Sequence, residues 1–141
     1  MRVVVDTNVL RSGISSAKGA SREVLYLIDA GVLIPVVSVP LILEYESVLK
    51  RKEFLQAMDL TAQEMDAIVD YLISRASLQP IYFLWRSFLP DAHDDHVLEC
   101  AVNGRAEVIL TFNKRHFLAV PRQFGVAVLT PGEFLRTFGG S

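Results

Sequence analysis

The sequence has one cysteine, no long apolar run and little net charge among its 141 residues. Cys100 has no second cysteine to pair with, and its apolar neighbours indicate a packed side chain rather than a nucleophile. The most apolar segment, residues 31–43, is too short to cross a bilayer and contains Pro35 and Pro40. No basic and apolar stretch resembling a secretory signal begins the chain. These absences predict a protein of the reducing cytoplasm that makes no membrane contact.

The formal charge of −2 at first argues against a nucleic-acid partner. That argument is weak if several carboxylates share one metal pocket, because a bound cation reverses the local sign of the charge. Without about four such carboxylates, the remaining surface is slightly basic. The chain has small basic clusters at Arg11 with Lys18 and Arg22, at Lys50-Arg51-Lys52, and at Lys114-Arg115. Each cluster is typical either of a solvated helix end or of a phosphate contact.

Strands and helices alternate along a chain that is 51% hydrophobic and 21% charged, which excludes disorder and suits a single domain over residues 1–141. Strands are predicted at residues 3–5, 32–37, 81–84, 108–110 and 126–129. A polar loop is predicted at residues 11–20, followed by a helix that ends at Gly31. A second helix is predicted from Ser38 to about Lys50, and a third begins at the capping box of Thr61 and Glu64. Two more helices are predicted, one over residues 94–102 and one that begins at Pro131. This order predicts an α/β fold with a mostly parallel sheet covered by helices on both faces.

The β-branched run Val3-Val4-Val5, followed by Asp6 and Asn8, is the most informative stretch. It predicts a buried first strand with Asp6 at its carboxyl end. In open α/β sheets this edge is where ligands bind. The alternative is that Asp6 and Asn8 shape a turn by bonding to local backbone.

Glu44 interrupts an apolar helix face. The helix that follows Ser38 has an inward stripe, in which Glu44 takes the vacant i+3 place among Leu41, Tyr45, Val48 and Leu49. A carboxylate there must be paired, hydrogen-bonded or metal-bound. The alternative to a metal ligand is a salt bridge to an arginine such as Arg11.

Three aspartates, Asp91, Asp94 and Asp95, lie within five positions at the start of a predicted helix. They repel one another unless a cation or the helix N-terminus compensates them, and one of them can equally be an ordinary N-cap. Spacing does not separate Asp94 from Asp95. His93 and His96 suggest zinc, but with a single cysteine and no third nearby histidine the ligand set is poor. Oxygen donors dominate, which favours Mg²⁺ or Mn²⁺.

A further polar cluster follows the predicted buried strand at residues 109–110. It begins at Thr111 and continues through Asn113, Lys114 and Arg115. Asn113 can either help to bind a metal-coordinated water or form a turn.

In this order and spacing the motifs resemble the PIN-domain ribonuclease family. Val5-Asp6-Thr7-Asn8-Val9-Leu10 is similar to its opening motif, Ser38 followed by Glu44 to the second, Asp95 followed by Ala101 to the third, and Leu110-Thr111-Phe112-Asn113 to the fourth. The likeness spans residues 1 to about 130. Asn-Lys-Arg followed by Phe117 resembles the branch of toxin components of toxin–antitoxin pairs. Many family members have Asp where this chain has Asn113.

The resemblance implies a three-layer α/β/α sandwich with a metal-dependent ribonuclease site at the strand carboxyl ends. Asp6, Glu44 and Asp95 carry over as the catalytic acidic core, which would hold Mg²⁺ (or Mn²⁺) with Asp94 as a further ligand, direct or through water. Supporting hydrogen bonds are expected from Thr7, Asn8, Thr111 and Asn113, and RNA phosphate contacts from Lys114 and Arg115. The implied substrate is single-stranded RNA.

Other functions compete with this interpretation. A phosphoaspartate enzyme of the haloacid-dehalogenase type needs a second aspartate two residues after the first, where this chain has Asn8. A response-regulator receiver needs an acidic pair that is absent. The main alternative is a non-catalytic PIN-like module that binds RNA or protein through a weakened metal site, and Asn113 is its support.

Two partners are also predicted. An antitoxin would have to be a separate protein, because this chain contains no antitoxin-like segment. The helix with Met65, Ile68 and Val69, together with the regions of Tyr71 and Phe83, is expected to expose apolar area, which predicts a homodimer.

Overall fold

The computed structural model describes residues 1–82, 89 and 94–138, and it contains a parallel sheet. Its strands are β1 (Arg2–Val5), β2 (Ile34–Val37), β3 (Ser77–Leu78), β4 (Val108–Leu110) and β5 (Ala127–Leu129). Their order across the sheet is β3-β2-β1-β4-β5, and every neighbouring pair is parallel. In the central strand, Val3 pairs with Pro35 on one side and Val108 on the other.

Helices flank this sheet, which confirms the predicted α/β/α sandwich. They are α1 (Thr7–Ser15), α2 (Ala20–Asp29), α3 (Val39–Leu49), α4 (Lys52–Met58), α5 (Ala62–Ser74), α6 (Asp95–Asn103), a 3-10 helix (Lys114–Phe117), α7 (Val120–Phe124) and α8 (Pro131–Phe138). α6 packs against β1, β2 and β4, and α8 packs against β5 and α2. No helix in the described residues is both long and apolar enough to span a bilayer.

The central strands are buried as their apolar runs predict. Val3, Val4 and Val5 in β1 are at most 1% exposed, and the three residues of β4 are equally buried. Two predicted helix starts are also confirmed. The Ser38 hydroxyl accepts a bond from the Leu41 N–H, and Thr61 and Glu64 form a reciprocal capping box.

The predicted polar loop at residues 11–20 is wrong in its first half, because α1 continues to Ser15. Val9, Leu10 and Gly13 form a buried face that outweighs the local serine and glycine content. Gly13 allows α1 to lie close to α2, since a Cβ there would be 2.8 Å from the Leu25 Cδ1 atom. The short helix α4 was not predicted, and its buried residue is Phe54.

The third strand lies earlier than predicted. It is the two-residue β3, in which Ser77 pairs with Val36 and Leu78 with Val37. Of the predicted strand at 81–84, residues 81 and 82 are not in a strand, and residues 83 and 84 lie outside the described residues. Two residues are too few to show the alternation by which a strand is predicted.

The prediction that α5 exposes an apolar patch is wrong for two of the residues named. Met65 and Val69 are at most 2% exposed because they pack in the core. Ile68 is half-buried against that core, while the side chain of Tyr71 is 47% exposed. Phe83 lies outside the described residues, and the homodimer stays a prediction.

Candidate active site

Asp6 lies where the strand order of the sheet reverses. The chain runs outward through β1, β2 and β3 on one side, and through β4 and β5 on the other. In open parallel sheets, ligands bind in the crevice outside the carboxyl ends of the strands at such a reversal. Asp6 directly follows β1, its N–H donates to the Leu110 carbonyl at 2.9 Å, and Thr111 directly follows β4. The two residues therefore meet at the expected binding edge.

The Asp6 carboxylate is held from both sides of this crevice. Its Oδ1 accepts from the Thr7 N–H at 2.8 Å, and its Oδ2 accepts from Thr111 Oγ1 at 2.7 Å. Thr111 Oγ1 in turn accepts from the Asn113 N–H at 3.0 Å. A purely local turn, the alternative raised by the sequence, accounts for the first of these bonds but not for the second.

Burial raises the pKa of the Asp6 carboxyl above its ordinary value of 3.8. Hydrogen bonds from Thr111 and Thr7, and the charge of nearby His116, lower this pKa but do not outweigh burial. A carboxylate that is 7% exposed and poorly compensated is a group that a cation would stabilise.

Thr7 links Asp6 to Glu44. Its backbone N–H bonds to Asp6, and its Oγ1 donates to Glu44 Oε2 at 3.0 Å. Glu44 is half-buried and lies beside the buried stripe of α3, which consists of Leu41, Tyr45 and Leu49. Val48, predicted to share that stripe, is also half-buried. The two predicted acids are therefore both hydrogen-bonded to one residue, Thr7.

Tyr45 is hydrogen-bonded to the end of β1 next to Asp6. Its hydroxyl donates to the carbonyl of Val5, the last residue of β1. Burial raises the pKa of this hydroxyl, and the nearby Cys100, Asp6 and Glu44 raise it further. Tyr45 is thus a neutral donor that fixes the end of β1 and, with it, the position of Asp6.

Asp94 is joined to His116. The two side chains approach to 2.8 Å between Oδ2 and Nδ1, and both are largely buried. Asp94 occupies the N-cap position of α6, but its side chain makes no capping bond. The charge of His116 also lowers the pKa of Asp6. Asp91 and His93 lie outside the described residues.

Asp95 is buried at the start of α6. It is 2% exposed, and its Oδ1 accepts from the Leu89 N–H at 3.2 Å. This bond ties the helix start to the chain before it, so Asp95 has at least one structural role.

The supporting residues lie in α1, in the segment after β4 and in the 3-10 helix. Asn8 Oδ1 receives a long contact of 3.5 Å from the Phe112 N–H. Lys114 pairs with Glu133 at 2.9 Å, while Arg115 is exposed. The backbone of Thr130 and the Lys114 ammonium together lower the pKa of Glu133 to about 2.

Sequence reasoning missed His116, which pairs with Asp94, and the buried Glu99 of α6. His116 follows Asn113 by three positions, within the polar cluster that ends β4. Glu99 is 2% exposed in α6, one turn after Asp95. The i,i+4 spacing of two acids on an otherwise apolar helix was the available signal for Glu99. No comparable spacing rule indicates His116.

The donors at this edge suit a hard cation. In the described parts of the chain, no three His, Cys, Asp or Glu side chains are close enough together to hold a metal ion. Mg²⁺ nevertheless usually keeps several waters and binds through one or two carboxylates, which Asp6 and Glu44 can supply. Cys100 is no competitor as a thiolate, since burial raises its pKa to about 12. The oxygen donors therefore fit Mg²⁺ or Mn²⁺ better than zinc.

A family model described as "PIN domain" matches residues 2–115. The chain belongs to the PIN domain family. The match includes Asp6, Glu44, Asp94, Asp95 and Thr111. PIN domains are generally nucleases and typically use divalent metal ions, which indicates a nuclease-type function for this edge of the sheet. No curated protein matches the chain significantly.

Proposed function

We propose that this PIN domain is a metal-dependent endoribonuclease that hydrolyses RNA phosphodiester bonds. The observation that carries the proposal is the buried Asp6 carboxylate at the strand-order reversal, oriented by Thr7 and Thr111 and linked through Thr7 to Glu44. A buried carboxylate that is hydrogen-bonded by residues following two neighbouring strands lowers stability when it is charged, and it is well placed to bind a cation.

Asp6 and Glu44 would hold Mg²⁺ or Mn²⁺, with Asp94 and Asp95 as further ligands. When bound, the metal neutralises the phosphate and acidifies the attacking water. Thr7 orients both Asp6 and Glu44, and Thr111 orients Asp6. His116 holds the Asp94 carboxylate, and Asn8 and Asn113 complete the polar rim.

Surface residues next to the crevice suit a single RNA strand. Phe112 directly follows Thr111 and is 47% exposed, so its ring is available to stack on a base. Arg115 is exposed and can contact a phosphate. Lys114 can do so by exchanging Glu133 for phosphate, because a surface ion pair stabilises by only about 0–1 kcal/mol.

We further propose that the protein is the toxin of a toxin–antitoxin pair and acts in the cytoplasm. The support is the run Asn113-Lys114-Arg115 followed by Phe117, which resembles that branch of the family, and a lone buried Cys100 that suits a reducing compartment. Expression should arrest growth, Asp6→Asn should relieve the arrest, and co-expression of the neighbouring reading frame should do the same. Growth that is unaffected by the wild-type chain would contradict the toxin role.

A non-catalytic RNA- or protein-binding module is the second candidate. Its support is Asn113 in a position where many PIN domains have Asp, and the lack of a three-ligand cluster among the described residues. Cleavage of single-stranded RNA distinguishes this module from the nuclease.

The test is cleavage of single-stranded RNA in Mg²⁺ and in EDTA, with Asp6→Asn as the inactive control. We expect cleavage by the wild type in Mg²⁺ alone and a rise in Tm on adding Mg²⁺, because a ligand bound only by the folded state stabilises it. RNA binding with no cleavage and no rise in Tm would instead establish the non-catalytic module.

A further inference from the structure

A groove leads away from Glu44 along helix α3. Its volume is about 490 Å³, which lies in the range of about 300–1,000 Å³ typical of ligand sites. One wall comes from α3 and the turn after it, and the facing wall includes His96 of α6. The groove is lined by Pro40, Leu43, Glu44, Ser47, Arg51 and His96, among others. It therefore includes one of the proposed catalytic acids, Glu44.

The basic cluster Lys50-Arg51-Lys52 divides into three different environments. Lys50 is taken up by an ion pair with Asp66 at 2.7 Å. Lys52 is exposed and does not line the groove. Arg51 lines the groove, is exposed, and has no ion-pair partner among the residues that the structure describes. Arg51 is thus the member of the cluster that can meet a ligand in the groove.

The lining residues of α3 change character along the groove. Pro40 and Leu43 come first, and Leu43 is an apolar side chain that is 58% exposed. Glu44 follows Leu43, Ser47 adds a hydroxyl one turn later, and Arg51 lies just beyond the end of the helix. An apolar wall at one end and a guanidinium at the other match the base and the phosphate of one nucleotide, and Glu44 between them places that nucleotide next to the proposed metal site.

We propose that this groove binds the nucleotide next to the cleaved phosphodiester, with Arg51 contacting its phosphate and Leu43 and Pro40 contacting its base. The proposal rests on the proposed ribonuclease function and names the path of the substrate from that site. The planar guanidinium presents two parallel N–H groups to a phosphate, a geometry that a lysine ammonium does not offer. The base can reach the apolar wall only when it is unpaired, so the groove selects a single strand.

The test is the binding of short, fluorescein-labelled single-stranded RNA in EDTA, followed by anisotropy over a range of salt concentrations. Arg51→Ala should weaken binding several-fold and reduce the slope of log K against log salt by about 0.7, the value for one phosphate contact on a single strand. Lys52→Ala is the matched control, because it removes the same charge from the adjacent residue outside the groove. Arg51 makes no side-chain capping bond to α4, so its replacement should leave the fold intact.

Leu43→Ala tests the apolar wall separately. It should weaken binding without changing the salt slope, because it removes a contact to the base and no charge. Val39→Ala is its control, since Val39 is equally exposed on the same helix but does not line the groove. In Mg²⁺, Arg51→Ala should raise KM with little change in kcat, as expected for a residue that binds substrate away from the reacting atoms.

The outcomes separate this proposal from the proposed function. If the wild type cleaves RNA but Arg51→Ala and Lys52→Ala behave alike, the groove is wrong and the ribonuclease stands. If the wild type binds RNA with the predicted Arg51 signature but does not cleave it, the groove stands and the ribonuclease is wrong. Absence of RNA binding by the wild type in EDTA, together with absence of cleavage in Mg²⁺, would overturn both.

Discussion

The hydroxyl of Thr111 donates to Asp6 Oδ2 across 2.7 Å of space and 105 residues of sequence. The bond joins the carboxyl ends of β1 and β4, the two strands between which the sheet reverses its order. Thr111 is completely buried, so its hydroxyl hydrogen-bonds to the carboxylate and not to solvent. Asp6 is therefore fixed by the core of the fold, and the first prediction concerns its charge.

Asp6→Asn should abolish RNA cleavage and leave the metal-free protein as stable as the wild type or more so. The amide oxygen can still accept from Thr7, and the amide nitrogen can donate to Thr111, whose hydroxyl has two acceptor sites. The variant removes a buried charge without emptying the site. Cleavage assays in Mg²⁺ and urea denaturation in EDTA measure the two effects.

The control for this variant is Asp66→Asn, which removes a surface carboxylate that pairs with Lys50. It should retain cleavage and change the free energy of unfolding by less than about 1 kcal/mol. If Asp6→Asn cleaves RNA at the wild-type rate, the nuclease interpretation is wrong.

The second prediction concerns the pH dependence of stability in EDTA. Because the pKa of Asp6 is raised above 3.8 in the folded state, the native protein binds this proton more tightly than the unfolded chain. The Asp6 contribution to the free energy of unfolding therefore falls as pH rises from about 3.8 through the raised pKa, and it is constant above that.

Asp6→Asn lacks this proton, so its stability relative to the wild type should increase over the same acidic interval. Urea denaturation of both proteins from about pH 3 to about pH 7 isolates the effect, since all other groups cancel in the difference. A difference that is constant across this range would show that Asp6 titrates normally.

Much of the fold could be predicted because its signals are local. The buried runs of β1 and β4, the Ser38 cap and the Thr61–Glu64 capping box each depend on neighbouring residues alone. Helix α1 could not be predicted in this way. In the sequence, Gly13 is typical of a loop. In the fold, it lets α1 pack closely against Leu25 of α2, a contact that the local sequence does not indicate.

The candidate site shows the same division. Asp6 and Glu44 stood out because each carboxylate interrupts an apolar pattern. The residue that joins them, Thr7, had an expected supporting role, but the bond from its Oγ1 to Glu44 requires that α1 and α3 be in contact. The pairing of Asp94 with His116 likewise connects the start of α6 to the 3-10 helix after β4, so no pattern along the chain indicates it.

The third prediction separates Asp95 from Asp94. If Asp95 is a metal ligand, Asp95→Asn should lose far more activity at low Mg²⁺ than Asp94→Asn. Cleavage rates measured across a Mg²⁺ titration distinguish a change in metal affinity from a change in maximal rate. Equal and mild losses of activity in both variants would contradict a ligand role for Asp95, and a loss of stability in Asp95→Asn alone would reflect its bond to the Leu89 N–H.

The fourth prediction tests Thr7 as a positioning residue. Thr7→Val removes the hydroxyl that bonds to Glu44 but keeps the size of the side chain and the N–H that bonds to Asp6. We expect a 10- to 100-fold weaker affinity for Mg²⁺, as is typical when a residue that orients a ligand is lost. Isothermal titration with Mg²⁺ measures this directly.

Thr7→Ser is the conservative control, because it restores the hydroxyl, and it should recover most of the affinity. A loss in Thr7→Ser as large as that in Thr7→Val would mean that the methyl group and its packing matter, rather than the bond to Glu44.

The last prediction concerns Glu44, for which a metal ligand and a buried salt bridge have opposite consequences. As a ligand, Glu44→Gln should destroy cleavage and leave metal-free stability unchanged or higher, because the amide oxygen can accept the same bond from Thr7. As half of a buried ion pair, the change would strand an arginine and destabilise the protein by roughly 3 kcal/mol or more, with or without metal. The Arg11 guanidinium lies 5.0 Å from the centre of the Phe54 ring, a cation–π contact that already stabilises its charge. Denaturation of the wild type, Glu44→Gln and the control Glu46→Gln, in EDTA and in Mg²⁺, decides between the two. A large loss for Glu44→Gln in EDTA would give Glu44 a structural role and leave Asp6 with too few carboxylates to hold a cation.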